Sequence, residues 1–363
     1  MVTVSLCMIV RNEEAHLAHC LGSVKDLVDE IIIVDTGSTD QTKEIARSFS
    51  CRIFDFPWQD NFAAARNFSF AQATMDFCFW LDADDCLLLE DQVRFRQLKA
   101  ELTTETDVVF LPYHTALRAD GSPAFTCYRE RMLLRKDQFQ WEGRVHEAIA
   151  PKGRFLYGTA AITHCKKGPG DTQRNLRIFE NMLAQGCTLS PREQFYYARE
   201  LQRHGFYAKA ATLLLSFLQE KDAWIENQIE ACRNLAQCYY ALSNPDKALA
   251  ALFHALSLSL PRAEICCDIG LHFLQHTAPP RHEQAAFWYE LALCCPRRDQ
   301  SGGFVLPDCY GYIPHMQLCV CYYAMGNSKK ARQHNEAAGQ IHPDDPAYLS
   351  NCRFFDSIAT GTP

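Results

Sequence analysis

An open α/β-sheet domain followed by an all-α repeat domain is the fold the sequence predicts, on three observations. Over the first 165 residues, short continuous apolar runs alternate with helical stretches, a β-α-β-α-β order that belongs to open α/β sheets. Lys166-Lys167-Gly168-Pro169-Gly170-Asp171 then breaks the chain. Beyond it everything reads as helical, with alanines recurring at wide, near-regular intervals. The 363-residue length suits two domains of roughly 100–200 residues each. The expected division is an α/β domain over 1–165, a linker and connecting helix over 166–190, and a helical repeat domain over 191–363.

In chain order, residues 2–10 form a first buried strand. The run is short, has no basic leader and stops at Arg11, so it does not read as a signal peptide. Ile31-Ile32-Ile33-Val34 is a second strand, apolar on both faces as in a parallel sheet. Ser38-Thr39-Asp40-Gln41 offers a capping box for a helix over 43–49. Ile53-Phe54 is a short third strand, residues 61–75 an alanine-rich helix, and residues 77–81 a fourth strand running into Asp82-Ala83-Asp84-Asp85. Residues 108–111 and 128–134 read as further strands, with Asp120-Gly121 as a turn.

In the second half, Leu235-Ala236-x-x-Tyr239 precedes Ala248 and Ala255, the spacing of a tetratricopeptide unit. Leu318-Cys319-x-x-Tyr322 precedes Ala331, Ala338 and Pro343 in the same way. Weaker copies centre on Ala198 with Ala210, and on Ala285 with Ala292. The second-helix alanines 210, 248, 285 and 331 are spaced by 38, 37 and 46 residues. The widest gap holds an insert over 301–311, with Phe304, Tyr310 and Tyr312 in or beside it. Its aromatics either line a binding groove or cap the array.

Composition narrows the function. Hydrophobic residues are 48% and charged residues 22%, ordinary for a soluble globular protein. A net charge of −7 and a pI near 6.0 exclude a basic field over the whole chain, and with it general nucleic-acid binding. No run reaches the ~18 apolar residues of a membrane span, so a soluble, cytoplasmic protein without a transmembrane segment is expected. The 18 cysteines lack zinc-finger spacing. In a reducing compartment they read as small buried hydrophobes, with no disulfide framework.

Ligands of open α/β sheets bind beyond the carboxyl ends of the strands, where Asn12, Asp35 and Asp82 fall. Three carboxylates at the mouth of a buried strand repel one another, and a hard cation such as Mg²⁺ or Mn²⁺ relieves that; a solvated acidic turn is the plain alternative. Asp35 can accept from a base or ribose, or serve only its turn with Ser38 and Thr39. Arg66, in Ala65-Arg66-Asn67, can fork a diphosphate or pair with an aspartate. His146-Glu147 can supply a general base. His164 closes the domain as either a ligand or a structural histidine.

Taken in order, these motifs resemble the inverting family 2 glycosyltransferases of GT-A fold. Ser5-Leu6-Cys7-Met8-Ile9-Val10-Arg11-Asn12-Glu13-Glu14 looks like the opening strand and loop. Val34-Asp35-Thr36-Gly37-Ser38-Thr39-Asp40 looks like the nucleoside-binding turn, and Asp82-Ala83-Asp84 like the metal-binding D-x-D. Many relatives carry two aspartates where this chain has Asp35-Thr36. The resemblance implies a nucleotide-diphospho sugar donor, UDP-linked, held by Val10, Asn12, Glu13, Asp35, Thr36, Arg66, Asp82, Ala83 and Asp84. It implies Mn²⁺ or Mg²⁺ on Asp82, Asp84 and His164, and Glu147 as base with His146 as runner-up. A family 2 domain followed by tetratricopeptide-like helices is similar to bacterial enzymes that glycosylate peptides, including S-glycosyltransferases acting on bacteriocin cysteines. The acceptor would be a peptide, protein or glycan, and the repeats could also serve self-association into a homo-oligomer. Two other readings are a repeat scaffold carrying an inactive glycosyltransferase-like domain, and a sugar nucleotidyltransferase. The second lacks a glycine-rich loop at Arg11-Asn12-Glu13-Glu14.

Overall fold

The computed structural model describes residues 1–118, 121–165 and 171–360. The expected break over 166–170 and Asp120 of the expected turn lie outside the described residues. The chain divides into two compact units, Met1–Leu189 and Ser190–Pro363.

The first unit runs β1 (Val4–Val10), α1 (Leu17–Val24), β2 (Glu30–Asp35), α2 (Thr42–Ser48), β3 (Arg52–Asp55), α3 (Phe62–Ala71), β4 (Phe77–Trp80), β5 (Asp85–Cys86), α4 (Leu89–Glu101), β6 (Val108–Leu117), β7 (Pro123–Leu134), β8 (Trp141–Glu142), β9 (Ala148–Ile149), β10 (Phe155–Tyr157), β11 (Ile162–His164) and α5 (Arg174–Ala184). Among the described residues nine strands make one mixed sheet, ordered β3-β2-β1-β4-β7-β6-β11-β5, with β10 joining at β6. β1, β2, β3 and β4 are parallel, as their two-faced apolar runs require. Their register aligns Val10 with Asp35 and Asp35 with Asp55, so these carboxyl ends share one edge. Leu6, Met8, Phe77 and Phe79 are fully buried against Leu17 and Leu21 of α1 and Phe95 of α4. Burial of each such side chain stabilises the fold by about 1.5–3 kcal/mol.

Two local expectations are corrected. The capping box at Ser38 does not form. Ser38 Oγ instead accepts from the Asn12 amide, and Asp40 Oδ1 accepts from the Thr42 amide and hydroxyl at the start of α2. Asp40 sits two residues before Thr42 and reaches it first. Secondly, Cys86 and Cys165 are joined by a disulfide, where none was expected. Pairing of β5 with β11 sets Cys86 opposite Thr163 and so brings it near Cys165. Sixteen further cysteines among the described residues are free.

The second unit is helical: α6 (Pro191–Arg203), α7 (Tyr207–Phe217), α8 (Ile225–Ala241), α9 (Pro245–Leu258), α10 (Ala263–Gln275), α11 (His282–Cys294), α12 (Tyr312–Ala324), α13 (Ser328–Ile341) and α14 (Pro346–Thr360). Successive helices pair as the repeat predicts, and Ala210, Ala248, Ala285 and Ala331 are all fully buried. Small residues are needed at these crossings: a Cβ on Gly270 would stand 2.8 Å from the Tyr289 ring. Ser190 and Glu193 form a capping box on α6, and Asn244 and Asn327 cap α9 and α13.

The insert runs along the first helices of the earlier pairs. Phe304 packs on Phe195 of α6 beneath the Arg199 guanidinium. Gly303 lies against Glu226 of α8, where a Cβ would stand 2.0 Å from the carboxylate. The Leu306 amide and Tyr310 hydroxyl both donate to Glu264 of α10. Among the described residues no helix is long and apolar enough to cross a membrane.

Candidate active site

A cleft of about 440 Å³ opens at the carboxyl edge of the parallel strands. Of the sequence candidates, Val10, Glu13, Thr36, Arg66, Asp82, Ala83, Asp84, His146, Glu147 and His164 line it. Asn12 and Asp35 do not, and the loops explain why. Asn12 takes a left-handed backbone, φ 54°, and its Oδ1 accepts from the Thr39 amide at 2.8 Å. Together with the Ser38 contact this laces the loop after β1 to the loop after β2. Asp35 is buried, and its Oδ1 accepts from the Gly37 and Ser38 amides at 3.0 and 2.9 Å. Both residues shape the cleft wall from outside it.

The acidic corner is built by strand pairing. β4 ends at Trp80, the chain turns through 81–84, and β5 pairs antiparallel with β11 so that Asp85 faces His164. His164 Nδ1 stands 3.6 Å from Asp84 Oδ1 and 3.7 Å from Asp85 Oδ1. Ligand atoms of Asp84, Asp85 and His164 lie within 4.8 Å of one another, a hard donor set suited to Mn²⁺ or Mg²⁺. The second carboxylate of this cluster is Asp85, from the same acidic run; Asp82, expected beside Asp84 and His164, is not in it. Asp85 is buried and anchored: Tyr113 donates to Oδ1 at 2.9 Å and Arg131 to Oδ2 at 3.1 Å. Arg131 is itself fully buried, 3.8 Å from the Trp80 ring centre and 4.4 Å from that of Tyr113. The hydrogen bond with Asp85, and then the charges of Asp84 and Asp85, raise His164 above the ordinary imidazole value.

Asp82 belongs to a different arrangement. Arg66 Nη2 donates to Asp82 Oδ1 at 2.7 Å, and its Nε donates to Glu147 Oε1 at 2.6 Å. The guanidinium sits 4.9 Å from the ring centres of both Trp80 and Trp141. Burial would lift the Asp82 carboxyl, but Arg66 and then Arg131 outweigh it and hold Asp82 below the usual carboxylate range. The fork of Arg66, considered for a diphosphate, is engaged by two carboxylates.

His146 also has a left-handed backbone, φ 52°, and its Nε2 meets Asn175 Nδ2 at 3.4 Å. Its ring lies nearly parallel to Phe179, with centres 6.5 Å apart. Asn175 and Phe179 are on α5, which also sets Arg174 over Phe62, 4.7 Å from the ring centre. Trp58, Phe62, Arg129, Trp141, Arg174 and Asn175 line the cleft without having been singled out in the sequence. They are isolated residues with no spacing to mark them, and α5 falls in the segment expected to link the domains. Asp85, by contrast, stood in view within the acidic run.

A glycosyl transferase family 2 model matches residues 5–120. A TPR repeat-containing protein of Synechococcus elongatus is 38% identical over 151 residues, covering 41% of this chain and 36% of that protein. The SPbeta prophage-derived glycosyltransferase SunS of Bacillus subtilis is 28% identical over 218 residues, covering 55% and 49%. The chain thus spans half or less of these two curated relatives. An uncharacterized glycosyltransferase of Rickettsia bellii is 32% identical over 217 residues, covering 50% of this chain and 73% of that protein. Among solved structures, glucosyl-3-phosphoglycerate synthase from Mycobacterium tuberculosis, in complex with Mn²⁺ and UDP, matches at a TM-score of 0.36 and 16% identity, covering 52% and 82%. With the strand order, the acidic corner and these sequence matches together, the chain belongs to glycosyltransferase family 2.

Proposed function

We propose that this protein is a metal-dependent inverting glycosyltransferase that moves a sugar from a nucleotide-diphospho donor, UDP-linked, to a nucleophile on a peptide, protein or glycan. One juxtaposition supports the reading: Asp84, His164 and Glu147 line the same cleft, with Arg66 bridging Glu147 to Asp82.

Asp84 and His164, with Asp85 beside them, would hold Mn²⁺ or Mg²⁺ against the donor diphosphate. Such a cation, when bound, neutralises charge gathering on the departing nucleotide. Thr36, at the cleft wall, would face the nucleoside. Glu147, oriented by Arg66 Nε, takes the proton of the acceptor hydroxyl or thiol as it attacks the anomeric carbon opposite the leaving group, so the configuration inverts. A thiol acceptor, with an ordinary pKa near 8.5, needs less help from Glu147 than a hydroxyl does.

Donor binding and sugar transfer, measured separately, test the assignment. Asp84→Asn should lose metal-dependent donor binding and turnover together. Glu147→Gln should retain donor binding while transfer falls by roughly 10²–10⁴-fold, the usual worth of a general base. Full transfer by Glu147→Gln would overturn the assignment of the base.

A further inference from the structure

A second ligand set lies next to the acidic corner and differs from it in chemistry. His19 of α1, Cys86 of β5 and Cys165, which follows β11, bring a ring nitrogen and two sulfurs within 4.8 Å of one another. The ladder pairs His164 with Asp85 and Thr163 with Cys86. Side chains alternate along a strand, so Asp85 and His164 share one face of this ladder while Cys86 and Cys165 share the other. The hard donors and the soft donors are thereby sorted to opposite sides of one short pair of strands.

We propose that, with the disulfide reduced, Cys86, Cys165 and His19 form a binding site for a zinc-class divalent cation, distinct from the acidic corner. Two thiolates and an imidazole are a soft-to-borderline set that favours such an ion over Mg²⁺ or Mn²⁺. Around a tetrahedral zinc, sulfurs about 2.3 Å and a nitrogen about 2.0 Å from the ion stand roughly 3.5–3.8 Å apart; the three ligand atoms already lie within 4.8 Å of one another, and reduction frees the two bonded sulfurs to part by the remainder. His19 is exposed, so solvent reaches the site and can supply the fourth ligand. The chemistry needs one co-reactant, a dithiol. A dithiol reductant delivers two electrons and two protons to the Cys86–Cys165 bond and becomes a disulfide itself; the cation then displaces the two thiol protons.

The position gives such a site a consequence for the cleft. The Cys165 amide donates to the Asp84 carbonyl at 2.7 Å, and His164 is its chain neighbour. Either closure, the disulfide or the bound cation, ties the end of β11 to the strand that carries Asp85 and the turn that carries Asp84. The cation alone would also tie both to α1.

Co²⁺ is the probe, because thiolate ligation gives a near-ultraviolet charge-transfer band that carboxylates do not. The full chain, reduced and desalted, should develop this band at one equivalent of Co²⁺ and lose it when one equivalent of Zn²⁺ is added. The disulfide-intact chain should show no band. Cys86→Ser/Cys165→Ser should abolish it, His19→Ala should weaken Co²⁺ binding at least about tenfold, and Asp84→Asn should leave the band in place. No band in the reduced wild type overturns the proposal, as does a band equally strong in the disulfide-intact chain, a comparison that needs no variant to fold. A band persisting in the double serine variant would assign it to other cysteines and overturn the site.

Discussion

Arg66 holds one positive charge between two carboxylates, Asp82 in the acidic turn and Glu147, the proposed base. Its charged state is reinforced by both, against the burial that opposes it. Removing the guanidinium leaves Glu147, only 11% exposed at its side chain, without its partner. Arg66→Ala should therefore cost about 3 kcal/mol in urea unfolding, the loss expected when one member of a buried pair is removed. Arg66→Lys should recover only part of this, since an ammonium cannot fork two acids on different loops. In the sequence Arg66 was conspicuous as a lone cation in an alanine-rich helix. Its partners, 16 and 81 residues away, carried no mark that joined them to it.

Among elements, the least legible proved decisive for the site. β5 and β11 have two and three residues, too few for any periodicity, yet their pairing sets His164 beside Asp84 and Asp85 and Cys86 near Cys165. The long parallel strands were readable because burial on both faces leaves a continuous apolar run. The start of α2 was misread because its loop is committed to Asn12 and Asp35 and leaves Ser38 unable to cap. Between α12 and α13, His315 Nδ1 and His334 Nδ1 stand 2.9 Å apart, with Tyr322 stacked on His334 and Lys330 and Glu290 nearby. Burial lowers both imidazoles, and in His334 the neighbouring His315 adds to it. The unfolded chain therefore binds more protons than the folded one as pH falls, so stability is complete above the ordinary imidazole value near 6.5 and declines below it. The thermal midpoint should drop between about pH 7 and pH 5. His334→Gln should flatten part of that drop; His315, His114 and His272, which burial also lowers, carry more of it, and His164, held above the ordinary imidazole value, works against it.

At the scale of the molecule, the order of motifs along the first 165 residues and the spacing of alanines in the second half carried the architecture. The route of the insert did not show, because Gly302-Gly303-Phe304 reads as an ordinary loop until Phe195, Glu226 and Glu264 are seen beneath it. That route has a consequence for how the helical unit comes apart. A stack whose pairs touch only their neighbours frays from its ends, one pair at a time. Here a segment leaving the third pair packs on the first helix of the first pair through Phe304, lies against Glu226 of the second, and is hydrogen-bonded to Glu264 of the third. Such a grip between non-neighbours makes three pairs open as one cooperative block. Amide exchange in α6, α8 and α10 should then proceed at a common rate in the wild type. Phe304→Ala should release α6 to exchange faster than α10, and an unchanged common rate would show that the strap does not couple them.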